Sequence, residues 1–190
     1  MKRAVSWILL VGWTLAAPIL APADVSSLLS ALDLGGYAPG ERPPDFVGHT
    51  TSGSRLSLAD LRGKVVVLTF WATWCPPCKP DLALLEELHR LHGAQLAVVA
   101  VNVRESSAVV RGYTEAQRLT FTVVVDARGD IQRAYGVIGL PSTFVIARDG
   151  RAVARAIGPR DWLGAPSREL LQALLREPAS PATRSGSGRP

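Results

Sequence analysis

The 190-residue chain has two cysteines, Cys75 and Cys78, and both lie in the stretch Trp71 to Asp81, WATWCPPCKPD, with two prolines between them. Two thiols three residues apart at a helix start can close a disulfide with little backbone movement. The first of them sits where unpaired helix N–H groups and the helix dipole favour a thiolate. This arrangement allows thiol–disulfide exchange. Cys75 attacks a partner's disulfide, a mixed disulfide forms, and Cys78 resolves it, leaving the partner reduced and the Cys75–Cys78 pair oxidised. The reverse direction stays open. A purely structural bridge fits less well, because closing so short a loop restrains little of the unfolded chain.

The two prolines bias the direction. Pro76 and Pro77 suit the first helical turn, where an N–H lacks an intrahelical partner and φ near −65° is already helical. They also remove two amides that could solvate the Cys75 thiolate. Weaker support for the thiolate raises its pKa and favours the disulfide over the dithiol, which makes the dithiol the better reductant.

The elements that must position this pair are legible around it. Lys64 to Phe70, KVVVLTF, is a continuous apolar, β-branched run, as expected of a central strand buried on both faces, and it ends just before the cysteines. Leu82, Leu85, Leu88 and Leu91 follow at helical spacing, with Gly93 as the stop. Further strands are expected over 95–103, 121–125, 143–147 and 152–157, a weaker helix over 107–119, a helical turn over 130–135 and a closing helix over 161–177. The Arg55–Leu58 alternation and the Thr51-Ser52-Gly53 turn predict a hairpin ahead of the central strand. The order β-α-β-α-β and then β-β-α implies an α/β fold with a mixed central sheet flanked by helices.

At the ends, residues 1–23 combine Lys2 and Arg3 with an apolar run and Ala21-Pro22-Ala23, which reads as an export signal peptide or a retained membrane anchor. Residues 24–41 read as a spacer, 42–177 as the domain, and 178–190 as a disordered tail. The formal charge of +5 falls to about +1 once leader and tail cations are set aside, and no basic block with interleaved aromatics appears, so nucleic acid is excluded as a partner.

The stretch Phe70 to Cys78, FWATWCPPC, together with Gly139-Leu140-Pro141-Ser142-Thr143-Phe144, resembles the thioredoxin fold and specifically the TlpA/ResA/CcmG-like exported thiol-disulfide oxidoreductases. Pro44-Asp45-Phe46 and Leu58 to Lys64 resemble that group's N-terminal hairpin region, and Asn102 to Ser106 resembles the start of its central α/β insert. The resemblance implies that Pro141 is a cis-proline lying against the disulfide, that Leu140 pairs with the bound partner chain, and that Trp74 shields the thiol pair. It also implies that Asp81 holds an acidic position acting on thiol ionisation and proton transfer. Trp74, Pro76, Pro77 and Leu140 are thus the expected client-binding residues. Cys75, Cys78, Pro141 and Asp81 are the expected catalytic ones. Thioredoxin's buried aspartate in the central strand is replaced by Thr69.

By the same resemblance the chain is an extracytoplasmic reductase of client disulfides, serving cytochrome c maturation or copper-site assembly. It would draw electrons from a membrane-bound thiol reductase and need no cofactor or metal beyond the two thiols. Other readings fit less well. A zinc site lacks further ligands, because His49, His89 and His92 do not have finger spacing. A thiol peroxidase expects Pro and Thr where this chain has Leu68 and Ala72. A copper chaperone expects a wider cysteine spacing. A metal-binding module with a non-catalytic disulfide is the remaining alternative. As a bland reading, Asp81 is a solvated acid complementing the helix dipole, and His89 and His92 are surface residues near a helix end.

Overall fold

A computed structural model describes residues 22–178; most of the expected leader and tail lie outside the described residues. The run of β-branched residues forms β4 (Val65–Trp71), every residue of which is buried. Strand β4 runs parallel to β5 (Leu96–Val103), which runs parallel to β6 (Thr122–Asp126). On its other side β4 pairs antiparallel with β7 (Ser142–Ile146), which pairs antiparallel with β8 (Ala152–Ile157). The hairpin β2 (Val47–Thr50) and β3 (Arg55–Ser57) extends the sheet beyond β6, and the two-residue β1 (Gly35–Gly36) extends it beyond β8. The result is an eight-stranded mixed sheet in the order β1-β8-β7-β4-β5-β6-β2-β3. This is the mixed α/β architecture read from the sequence.

Helix α2 (Cys78–His92) is built on the leucine stripe: Leu82, Leu85 and Leu88 are buried, and Gly93 ends the helix with φ +51°, a backbone region costly for a side-chain-bearing residue. Leu91, expected on the same stripe, is exposed, because a constant spacing of three drifts about 60° round the helix at each step and by Leu91 has turned away from the buried face. Helix α3 (Ser107–Ala116) follows β5, with the Ser106 hydroxyl accepting from the Val109 N–H. A single turn, α4 (Asp130–Ala134), follows β6, and α5 (Ala165–Arg176) closes the domain by burying Leu170, Leu171 and Leu174. An aromatic cluster supports the end of β4: Phe144 meets Phe70 and Tyr135 edge-on and Phe70 is tilted against Tyr135, at centroid distances of 5.0–5.7 Å, and the Tyr135 hydroxyl donates to the Pro44 carbonyl at 2.7 Å. Each such ring removes apolar surface worth about 1.5–3 kcal/mol from water.

The segment read as a spacer is packed instead. Residues Pro22–Ala31 form α1, which lies against α5; Leu28, Leu32 and Leu34 join the core, and Gly35–Gly36 pairs with Arg155 and Ala154 of β8. The apolar spacing of Val25, Leu28, Leu29 and Leu32 is helical, but a ten-residue helix before a Gly/Pro run offers little periodicity to read.

Candidate active site

Cys75 and Cys78 are joined in a disulfide with their Cα atoms 5.4 Å apart. Strand β4, in the middle of the sheet, ends at Trp71, and the loop Ala72–Pro77 turns the chain into α2. The Cys75 N–H donates to the Ala72 carbonyl at 3.2 Å, and the Cys78 N–H to the Cys75 carbonyl at 3.2 Å. Helix α2 starts at Cys78, so the two prolines form its lead-in turn, with Pro77 already helical at φ −70°. Pro80 lacks the N–H that would bond the Pro76 carbonyl, and the Lys79 N–H takes that carbonyl instead, at 3.3 Å.

In the disulfide form the pair is largely covered. Cys75 is 3% exposed and Cys78 fully buried, while Trp74, Pro76 and Pro77 stand out into solvent around them. The cause is geometric: Cys75 turns its side chain inward onto Cys78, whose helix packs on the sheet. What access remains belongs to Cys75. Trp74 is 67% exposed, forming part of the rim.

The Leu140–Pro141 peptide bond is cis. Phe70 of β4 is paired with Ser142 of β7, so Pro141 falls one step further along, level with Trp71, where the chain leaves for Cys75. The loop is pinned from both sides: the Ser142 hydroxyl donates to the Gly139 carbonyl at 2.7 Å, and the Gly158 N–H to the Pro141 carbonyl at 2.8 Å. Leu140 is half-buried, and Ile138, two residues before it, is 89% exposed.

Asp81, one helical turn after Cys78, is not solvated as the bland reading had it; it is 2% exposed. One of its oxygens, Oδ1, accepts from the indole Nε1 of Trp162 at 3.0 Å and from the Arg160 N–H at 3.2 Å. Burial pushes this carboxyl above the ordinary aspartate range, and the two N–H groups and the Arg160 charge pull it part of the way back. The stability consequence has a definite sign. Below the unfolded value of 3.8 both states are protonated and nothing is lost; as pH rises past 3.8 the unfolded chain releases its proton first, and the native state bears the full cost once its own carboxyl ionises. Asp81→Asn keeps an acceptor for both donors without a charge to desolvate. It is expected to raise stability at pH 7 by on the order of 1 kcal/mol, an advantage that disappears below pH 4. Urea unfolding at both pH values checks this.

Two partners of the site were not found from the sequence. Trp162 is 1% exposed and closes over Asp81 from the loop between β8 and α5. Glu105, just past β5, grips the cysteine loop: its carboxylate accepts from the Thr73 N–H at 2.8 Å, the Thr73 hydroxyl at 2.5 Å and the Asn102 side-chain amide at 2.7 Å. Thr69, in place of a buried aspartate, accepts a hydrogen bond from the Thr143 hydroxyl at 2.9 Å, so the β4–β7 pairing beneath the site is neutral. His89, expected at the surface, is half-buried, because it packs edge-on at 6.4 Å against Phe121, the residue just ahead of β6. Among the described residues, no three His, Cys, Asp or Glu side chains gather as a metal site.

Residues 39–155 match the AhpC/TSA family. The chain is 31% identical over 139 residues to the thiol-disulfide oxidoreductase ResA of Bacillus thuringiensis subsp. konkukian, spanning 73% of this chain and 77% of that one. A thioredoxin-family thiol:disulfide interchange protein from Chlorobium tepidum superposes with a TM-score of 0.65 at 27% identity, covering 73% of this chain and 99% of that one. A secreted disulfide oxidoreductase from Mycobacterium tuberculosis superposes with a TM-score of 0.58 at 26% identity, covering 68% and 93%.

Proposed function

The chain belongs to the AhpC/TSA family and is a thioredoxin-fold thiol-disulfide oxidoreductase, and from that premise we propose that it reduces the disulfides of client proteins outside the cytoplasm. The observation that carries the reading is the Cys75–Cys78 disulfide at the start of α2, beside a loop whose Leu140–Pro141 bond is cis.

In the reduced protein, the Cys75 thiolate attacks one sulfur of a client disulfide. That S–S bond breaks, a Cys75–client bond forms, and the other client sulfur leaves as a thiolate and takes a proton from water. Cys78, having passed its proton to the Asp81 carboxylate, then attacks the Cys75 sulfur; the Cys75–client bond breaks, and the second client sulfur leaves as a thiolate that takes up the proton Asp81 gives back to solvent. The client gains two electrons, and the protein ends in the disulfide state seen here. Asp81, one turn from Cys78 and kept out of water, is suited to exchanging that proton, and Trp74, Pro76, Pro77 and Leu140 offer the rim to the client.

Backbone geometry supports reduction as the direction. Of residues 76–80, three are prolines without an N–H, and the amides of Cys78 and Lys79 already donate to the carbonyls of Cys75 and Pro76. A Cys75 thiolate therefore has little amide support, which favours the disulfide and makes the dithiol a strong donor of electrons. Thr73, one position away from a peroxidase threonine, gives both its N–H and its hydroxyl to Glu105, which further disfavours peroxide chemistry. The leader supports an extracytoplasmic location, where a membrane-bound thiol reductase would return the electrons. Proteins of cytochrome c maturation or copper-site assembly are the proposed clients.

The test is capture. Cys78→Ala is expected to arrest at the mixed disulfide and to co-purify with clients through a bond that dithiothreitol releases. Cys75→Ala is expected to capture none. Equal capture, or none by either variant, removes the mechanism.

A further inference from the structure

Asp81 receives both of its donors from one loop, Gly158 to Trp162, between β8 and α5. The side chain of Arg160 ties that loop to the N-terminal helix. Its Nε donates to the Leu32 carbonyl at 2.9 Å, and Nη2 donates to the Asp33 carbonyl at 2.9 Å and to Asp33 Oδ2 at 3.1 Å. Nη1 donates back to the end of β8 and the start of the loop, to the Ile157 carbonyl at 3.2 Å and the Pro159 carbonyl at 2.9 Å. A guanidinium has five N–H donors, and five acceptors meet it here. The Leu32 and Asp33 carbonyls lie just past the C-terminal end of α1, the end that favours a cation. Asp33 adopts φ +51° there, and the flanking Leu32 and Leu34 are buried, so the anchor point is firm.

We propose that Arg160 is a positioning residue: by clasping the end of α1 it fixes the two N–H donors on Asp81, and so couples the N-terminal segment to the reactivity of the Cys75–Cys78 pair. The part concerning reactivity rests on the reading of Asp81 as the proton acceptor for Cys78. The clasp works through geometry. The backbone N–H of Arg160 is itself one donor, and Trp162 N–H bonds to the Arg160 carbonyl at 3.1 Å, so a shift of residue 160 moves both donors together. The charges nearby are few. Arg160 acts on Asp81 through space, Asp161 directs its carboxylate to the Leu163 N–H, and Lys79 of α2 is exposed.

A carbon-13 titration of the Asp81 carboxyl in the oxidised protein, where no thiol titrates, reads the clasp alone. Arg160→Ala retains the backbone donor but frees the loop, and is expected to raise the midpoint by about one pH unit, the scale of one weakened hydrogen bond to a charge. Arg160→Lys keeps the charge and loses the fork, and is expected to retain most of that rise. Asp33→Gly loosens the clasp from its other end with a residue suited to the positive φ. Loss of the Asp33 charge alone lowers the Asp81 midpoint, whereas a loosened clasp raises it, and a rise of a few tenths of a unit is expected. A wild-type midpoint in Arg160→Ala, full recovery in Arg160→Lys, or no rise in Asp33→Gly overturns the proposal; should Arg160→Ala fail to fold, Asp33→Gly decides. In the reduced protein, the pH profile of Cys75 alkylation is expected to move the same way. An unmoved profile beside a moved carboxyl overturns the coupling, while client capture by Cys78→Ala reports separately on the proposed function.

Discussion

Trp162→Ala is expected to destabilise the protein by about 3–5 kcal/mol, lowering its melting temperature by roughly 10 °C. The indole is 1% exposed, among the largest fully buried side chains, and its removal leaves a cavity between α2 and the loop before α5. It also strips Asp81 of its shorter hydrogen bond. Trp162→Phe separates the two effects, because phenylalanine fills most of the space and offers no N–H. That variant is expected to cost about 1–2 kcal/mol at neutral pH and less in acid, because the lost N–H supports the charged form of the carboxyl. Chemical unfolding at pH 7 and pH 3.5 measures both. A loss below about 1 kcal/mol for Trp162→Ala would mean that the loop closes without it.

Glu105→Ala is expected to cost about 2–4 kcal/mol and to slow client reduction by on the order of 10–100-fold. Three donors converge on this carboxylate, and one, the amide of Asn102, is on a fully buried residue. Without Glu105, the Thr73 N–H and the Asn102 amide lose their partner, and the loop that aims Cys75 is no longer tied to β5. Glu105→Gln is the informative control. Its amide oxygen can accept from Thr73 N–H and Asn102, its NH₂ can donate to the Thr73 hydroxyl, and a loss under about 1 kcal/mol is expected. Hydrogen exchange at the Thr73 amide, read beside the reduction rate, checks whether loop order and rate fall together. If the alanine variant keeps a wild-type rate, the tie has no bearing on the chemistry.

How much was legible follows from the range of each contact. The cysteine pair, the central strand and the leucine helix announce themselves within a few residues; the expected strand at 64–70 lies one residue from the observed Val65–Trp71, and Gly93 ends its helix as read. Pro141 was found only through resemblance to a family, since an X-Pro dipeptide does not itself specify the cis form. The partners of the site were invisible for a different reason. Trp162 meets Asp81 across 81 residues and Glu105 meets Thr73 across 32, and no local periodicity records such pairings. Asp81 is polar and sits in a first helical turn, so sequence reasoning offered solvation as an alternative, and only the fold brings the lid that buries it. Likewise α1 hides before a Gly/Pro run whose composition suggests a tether, although its leucines find α5.

The borders of the sheet bear on a protein that acts on disulfide-bearing chains. One border is β1, two glycines long, and the other is β3, three residues beginning with an exposed arginine. Neither presents a row of free backbone groups long enough to template a foreign strand. Extended polypeptide arriving at the molecule therefore finds little to zip onto away from the disulfide, which keeps a dense population of such molecules from clumping with the very chains they are meant to release.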